Sequence, residues 1–411
     1  MAARLAEGAG RVVALFPWGD VVEEFLEPLG LSLSDFVERM SGGWLFGYVA
    51  ALQSVGWRPF VVCGSSTVDA PTRALHRATG APLWLLPARA MTLPYSSRRS
   101  AAQWRATPWR AFRRALRAER CDALLLQEYE YARFEPLLLL GKSLGLPVFA
   151  TFQGGDRSMS TLEARLRRWS LPWADGLIVA SAQERERLAA TYPSLPPLAA
   201  IPNPIDVEEW RGAPRAEARA ALGLPAEDFI VLTHGRIDVH RKGLDVLLAA
   251  WRSFAPARPR ARLVLIGSGQ DHERLAALLA APGLETVDWQ ARYTTDRAEL
   301  RRWLSAADVY ATASRVEGMP VAPLEAMACG LPIVASRAQG LPDILAEEEH
   351  SGGLLVPCED APALAAALER LARAPALREA LGRAARARIE SHFAVPAVGR
   401  ALQRFMTGAA P

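Results

Sequence analysis

Ser314-Arg-Val-Glu317-Gly-Met-Pro-Val-Ala-Pro-Leu-Glu325-Ala-Met-Ala-Cys-Gly330 follows a short apolar run at 308–313. The run has strand length and β-branched and aromatic residues. Pro323 suits the first turn of a helix and Gly330 suits its end. The order is therefore strand, loop, helix, with Glu317 in the loop and Glu325 in the first helical turn. In an open parallel sheet, ligands collect beyond the carboxyl ends of the strands, where helix N-termini present unpaired N–H groups. Carboxylates flanking such a terminus are good acceptors for hydroxyl groups. Taken singly, each also fits a plain helix-dipole carboxylate or a loop Glu.

The same rhythm extends in both directions. Strand candidates fall at 11–16, 59–63, 123–127, 147–152 and 176–180, then at 229–233, 262–266, 308–313, 332–335 and 353–356, with helical patterns between them. Such alternation predicts an α/β protein with parallel sheets covered on both faces. At 411 residues, half of them apolar, the chain suits two domains better than one core. Ile201-Pro-Asn-Pro-Ile-Asp206 carries two prolines that forbid a helix, so the boundary is expected near Asp206, giving domains 1–206 and 207–390. The segment 391–411 holds a helix around 396–406 with Pro396 in its first turn, and is expected to cross back to the N-terminal domain.

A formal charge of +4 is small for this length and does not argue for a nucleic-acid binder, and none is expected, although charge must be read locally. Cys63, Cys121, Cys329 and Cys358 form no CxxC pair, which suits reduced thiols better than a zinc site or disulfide framework. No secretory h-region or membrane-span run is seen, so a cytoplasmic protein is expected, with peripheral contact at the inner face of the membrane left open. Only Lys142 and Lys242 are lysines among the 48 basic residues, so each merits attention.

After the strand at 229–233 comes His234-Gly-Arg-Ile-Asp-Val-His-Arg-Lys-Gly243. Arg236 stands just past the strand and Lys242 at the start of the next helix, so both cations can face one anion. A nucleoside diphosphate needs such a pair, a planar guanidinium fork and a compact ammonium.

Gly235-Arg236 with Lys242-Gly243, Ile266-Gly-Ser-Gly269, and Glu317 seven residues before Glu325 resemble the donor domain of the family 4 retaining glycosyltransferases. The match is close over 228–356 and looser in the first half. The resemblance implies a GT-B fold, two Rossmann-like domains with parallel sheets facing each other across a cleft. The first would bind the acceptor and the second the nucleotide-sugar donor. It gives Arg236 and Lys242 the diphosphate, Glu317 the hydroxyls of the transferred sugar and Glu325 the ribose. Gly235 and the backbone of Gly318, Met319, Pro320 and Val321 would serve phosphate and sugar. Met319-Pro320 stands where an aromatic and a glycine are usual, and Pro320 has no N–H, so Val321 becomes the expected donor. Base recognition is expected from backbone near Arg292.

In the first half, Ser41-Gly42-Gly43 precedes an amphipathic pattern and resembles the family's Gly-rich loop, which places Gly43 among the donor-binding residues. The stretch 21–40 reads as an insertion whose Phe25, Leu26, Phe36 and Val37 either line an acceptor site or pack. Thr151-Phe-Gln153-Gly-Gly-Asp156 carries glutamine where many relatives have histidine. Gln153, Asp156 and Glu128 are the acceptor-side candidates, with Tyr129 and Glu130 beside Glu128. His76 bears no catalytic mark. Residues 98–120 are basic, with Trp109, Phe112 and Leu116 at helical spacing. They fit either a domain helix or a peripheral membrane contact.

The expected reaction moves a hexosyl group from a UDP-sugar or GDP-mannose to a hydroxyl of a sugar, small-molecule or lipid-linked acceptor, with retention of configuration. No Asp-x-Asp or metal-ligand cluster occurs, so neither a metal nor another cofactor is expected. A dehydrogenase fails because the third glycine of its fingerprint would fall at His272. A sugar-nucleotide epimerase or a non-catalytic nucleotide-sugar-binding relative of the same fold remains the alternative.

Overall fold

The computed structural model describes residues 10–17, 23, 26–89, 96–154 and 159–409; Phe25 and Asp156 lie outside the described residues. The chain divides into two compact units, Met1–Pro204 with Val395–Pro411, and Ile205–Ala394.

The first unit runs β1 (Val12–Phe16), α1 (Leu33–Glu38), α2 (Gly43–Ser54), β2 (Arg58–Ser65), β3 (Thr72–Leu75), β4 (Pro82–Pro87), α3 (Ser97–Arg105), α4 (Trp109–Ala118) and β5 (Ala123–Leu126). It continues α5 (Phe134–Ser143), β6 (Val148–Thr151), α6 (Thr161–Ser170), β7 (Gly176–Ile178), α7 (Ala182–Thr191) and β8 (Leu198–Ala199). Among the described residues its sheet has eight strands in the order β3-β4-β2-β1-β5-β6-β7-β8. Every pairing is parallel except β3 with β4. β1 and β5 are buried at every residue, as unbroken apolar runs in a doubly covered sheet should be.

Three strands of this unit escaped the sequence reading. β4 begins and ends on proline, and β3 is a four-residue edge strand whose Leu75 is exposed. β8 has two residues, too few to carry a pattern. All three borrow their order from a neighbour rather than from local propensity.

Leu26 and Phe36 are fully buried and Val37 is partly so, all in the cluster that α2 lays on the sheet. These residues therefore pack. A capping box between Ser32 and Asp35 starts α1. His76 is buried after β3; its ring stacks 3.7 Å from Phe46, Nδ1 meets Thr79 at 2.8 Å and Nε2 meets the Met40 carbonyl at 2.7 Å. Lys142 is structural: its Nζ lies 2.5 Å from Asp175 Oδ2, which also accepts the Val148 N–H at 2.7 Å, tying α5 to β6.

The second unit runs α8 (Arg215–Leu222), β9 (Phe229–His234), α9 (Leu244–Phe254), β10 (Ala261–Ile266), α10 (His272–Leu279), β11 (Val287–Gln290), α11 (Arg297–Ala306) and β12 (Val309–Thr312). It closes with α12 (Val321–Ala328), β13 (Ile333–Ser336), α13 (Leu341–Ile344), β14 (Gly353–Val356), α14 (Ala361–Arg373) and α15 (Pro375–His392). Its strands, all parallel, lie in the order β11-β10-β9-β12-β13-β14. Ile205 and Ala394 form a parallel bridge, so this unit starts and ends side by side. The last helix, α16 (Val395–Thr407), returns to the first unit, where Val398, Leu402 and Met406 share one buried cluster with Leu45, Val49 and Leu52 of α2. Their four-residue spacing puts one apolar stripe along α16, which packs on α2.

Candidate functional site

β9 and β12 are neighbours, and both deliver charged loops to the same end of the second sheet. The loop after β9 carries Arg236 and Lys242 and ends at Gly243, the N-cap of α9. Gly243 sits at φ +59°, and a Cβ there would stand 1.9 Å from the Ala313 carbonyl oxygen. Only glycine allows this approach, which presses the Lys242 loop onto the end of β12. Gly267 does the same from the other side, where a Cβ would meet Gly235 O at 1.9 Å. The Gly-Ser-Gly run after β10 is thus packing material for the Arg236 loop.

The loop after β12 brings Glu317 to Lys242, with Nζ to Oε1 at 2.7 Å. The Ser314 hydroxyl donates to the same oxygen at 2.6 Å, and Thr312 Oγ1 lies 3.0 Å from Ser314 Oγ. Glu317 is buried, at 6% exposure, and Lys242 caps it from the open side at 28%. Oε1 is therefore spoken for, which leaves Oε2 for a ligand. Arg315 anchors this loop: its guanidinium takes both oxygens of Asp245 at 2.7 and 2.9 Å, the His240 carbonyl at 2.8 Å, and Glu359.

α12 begins at Val321, because Pro320 takes the extended N-cap position and Pro323 falls third in the helix. Glu325 consequently stands just past the first turn instead of within it. Val321 and Ala322 carry the N–H groups at the helix start, Pro320 and Pro323 having none. Arg236, Lys242, Glu317, Gly235, Pro320 and Val321 all line one pocket of this unit. Gly318 and Met319 continue the Glu317 loop, and Met319 is buried.

Glu325 reaches back to the strand end, where Oε2 is 2.9 Å from His234 Nε2. Burial pushes the Tyr293 hydroxyl up to about 12, the nearby charge of Glu325 adding and that of Arg236 opposing. Tyr293 therefore feels both groups. Arg292 is turned elsewhere: its guanidinium is exposed and pairs with Glu299 of α11, and its N–H bonds Gln290 O at 2.7 Å. The pocket lined by Arg236 and Lys242 does not include it.

In the first unit a separate polar cluster forms beyond β5 and β6. Glu128 accepts the backbone N–H groups of Glu130 at 2.9 Å and Gln153 at 3.0 Å. The Gln153 amide reaches Thr151 Oγ1 at 3.1 Å and faces the buried Tyr48 hydroxyl. Burial pushes the Glu128 carboxyl up to about 8, Glu130 adding and the two N–H bonds opposing. Tyr129 and Glu130 are occupied otherwise, Tyr129 bonding Glu184 and Glu130 pairing with Arg187 at 2.6 Å. Gly43 opens α2 in the same unit, behind Gly42.

Sequence reasoning passed over His234, Ser314 and Tyr293. His234 had a signal: it directly precedes Gly235-Arg236 at a strand end. Ser314 and Tyr293 had none, since their roles depend on which loops meet.

Fold and pocket together define a class, the GT-B glycosyltransferases, to which comparison with known proteins adds the family. Residues 46–209 match the model described as Glycosyltransferase Family 4, and residues 214–388 match Glycosyl transferases group 1. The chain belongs to the family 4 glycosyltransferases. D-inositol 3-phosphate glycosyltransferase of Saccharomonospora viridis is 37% identical over 211 residues, covering 48% of each chain. A GDP-mannose-dependent monoacylated alpha-(1-6)-phosphatidylinositol monomannoside mannosyltransferase of Corynebacterium glutamicum is 29% identical over 242 residues, 56% of this chain and 62% of that one. The chain thus spans about half the length of the first of these relatives, 48%. Among solved structures, sucrose-phosphate synthase from Thermosynechococcus elongatus superposes with a TM-score of 0.75 at 24% identity, covering 97% of this chain and all (100%) of that one. Anabaena HepE in complex with UDP gives 0.72 at 16%, covering 97% and 100%. At such identities these likenesses speak for the fold alone.

Proposed function

We propose that this chain transfers a hexosyl group from a nucleoside diphosphate sugar, a UDP-sugar or GDP-mannose, to an acceptor hydroxyl, with retention of configuration and without a metal. One observation carries the reading: Arg236, Lys242 and Glu317 converge on the N-terminus of α12 in a single pocket. Two cations and a helix N-terminus suit the diphosphate, while a buried carboxylate with one oxygen to spare suits sugar hydroxyls. The relatives named for inositol phosphate and mannosyl transfer, and the UDP complex of HepE, support it.

In this mechanism Arg236 and Lys242 stabilise the charge that grows on the diphosphate as the glycosidic C–O bond breaks. A leaving-phosphate oxygen takes the acceptor's proton while the acceptor oxygen bonds the anomeric carbon. Glu317 fixes the sugar, Glu325 the ribose, and the Val321 N–H meets phosphate or sugar. Gln153 and Glu128 are assigned to the acceptor, whose hydroxyls their amide and carboxyl groups match, while Gly43 stays assigned to the donor.

The reading extends to an anionic membrane as a partner of the first unit. Trp169 is 74% exposed, Trp173 61%, Trp109 38% and Leu166 37%. Arg105, Arg110, Arg113, Arg114, Arg165 and Arg168 are exposed on α3, α4 and α6, while Glu163, the one carboxylate of those helices, is buried. α3 and α6 are joined by Ser97 and Thr161 at 3.0 Å and by Ser100 and Ser160 at 3.1 Å. Exposed tryptophans among unopposed arginines suit the headgroup region of anionic lipid. No helix among the described residues is long and apolar enough to cross a membrane.

The experiment is incubation with a panel of UDP- and GDP-sugars and analysis of products. Release of nucleoside diphosphate, by slow hydrolysis or transfer, is the expected result. Interconversion of donors without that release would overturn it in favour of an epimerase.

A further inference from the structure

His234 is the last residue of β9, and its side chain is 6% exposed. The ring lines the same pocket as Arg236 and Lys242. Its Nε2–H donates to Glu325 Oε2 at 2.9 Å, while Nδ1 is buried with no hydrogen-bond partner among the described residues. The Tyr310 ring stands edge-on to it, centroids 5.5 Å apart at 74°, and fixes its plane. An apolar side chain would fill the end of a buried strand without stranding a nitrogen. The imidazole is therefore explained by the bond its other nitrogen makes.

That bond spans two elements. Glu325 stands on α12, whose N-terminus faces the pocket, and His234 stands at the end of the strand from which Arg236 departs. A glutamate on a helix has several staggered rotamers open to it, and a donor on one oxygen selects among them. Occupying Oε2 leaves Oε1 to accept from a ligand.

We propose that His234 is a positioning residue for donor binding, holding Glu325 in the rotamer that receives the ribose hydroxyls of a nucleoside diphosphate. The inference rests on the donor reading given above. A carboxylate held in advance loses little freedom when the ribose arrives, so the pair sharpens discrimination between ribose and deoxyribose.

The test measures binding of UDP, GDP and ADP, each with its 2′-deoxy and 3′-deoxy forms, to the full chain and to the variants His234→Phe, His234→Gln and Glu325→Gln. The parent chain should prefer the ribose form of its best nucleotide by about tenfold or more over at least one deoxy form. In His234→Phe that ratio should fall to within about threefold, with affinity for the deoxy form kept within about twofold of the parent's. His234→Gln places an N–H near the Nε2 position and should restore most of the ratio. Glu325→Gln should lose it. A His234→Phe protein that melts like the parent yet keeps the full ratio, while Glu325→Gln loses it, would overturn the role of His234 and leave the donor reading standing. Should His234→Phe fail to fold, His234→Gln decides, because loss of the ratio there, equal to that in Glu325→Gln, contradicts rescue. Failure of the parent chain to bind any of the three nucleotides would instead overturn the donor reading itself.

Discussion

Lys242 Nζ lies 2.7 Å from Glu317 Oε1, at a point where the loops after β9 and β12 meet. The ammonium proposed for phosphate thus also orients the carboxylate proposed for sugar, and the two act as a unit. Lys242→Ala should lower turnover roughly a hundredfold, the usual cost of one preorganised charge stabiliser. Paired with Glu317→Gln, the loss should be clearly less than the product of the single losses, because each single change already disturbs both groups. Steady-state kinetics on the two single variants and the double variant measure this.

Gly243 stands next to Lys242 with no room for a Cβ against Ala313 O. Gly243→Ala should therefore force the loop away from β12, at a cost of about 2 kcal/mol or more in stability. Because Lys242 moves with the loop, donor KM should rise at temperatures where the variant is still folded. Thermal unfolding and kinetics below the transition separate the two effects.

Glu128 gives a pH dependence in the first unit. Its carboxyl is pushed up to about 8 by burial, against an ordinary value of 4.5. The folded chain holds a proton that the unfolded chain releases, so the stability from this group is fully present below pH 4.5 and lost as pH rises through about 8. Glu128→Gln cannot ionise and should flatten the decline, the gap between the two proteins changing by roughly a few kcal/mol from pH 5 to 8. Urea unfolding at a series of pH values reads it out.

The surface of α3, α4 and α6 makes a separate prediction. Replacing Trp169 and Trp173 by alanine should weaken binding to vesicles rich in phosphatidylglycerol by about tenfold or more. Replacing Arg165 and Arg168 by glutamate should weaken it further and remove most of its salt dependence. Donor hydrolysis in the absence of membrane should be unchanged by either pair. Vesicle co-sedimentation measures the first effects and nucleoside diphosphate release the last.

The second unit was legible in the sequence because its charged residues sit directly after unbroken apolar strands, so strand order alone places them at one end. Glu317, Arg236 and Lys242 needed nothing more. The His234–Glu325 bond joins residues 91 apart and depends on the register of β9 against its neighbours, which no local pattern encodes. Lys142 shows the limit of rarity as a signal. It is as scarce as Lys242, yet it pins α5 to β6 through Asp175. Arg292 was singled out for its backbone; its guanidinium pairs with Glu299 on α11 at close range. The edge strand β3 and its neighbour β4 were missed because proline and arginine mask runs that only the finished sheet completes.

The most direct test of the donor pocket is calorimetric titration of the chain and of Arg236→Ala with UDP, GDP, ADP and TDP. One of these nucleotides should bind the parent chain, and Arg236→Ala should bind it at least tenfold more weakly, as expected for loss of a charge-assisted phosphate contact. Equal affinity in the two proteins, or no binding to the parent, would contradict the assignment of this pocket to a nucleoside diphosphate.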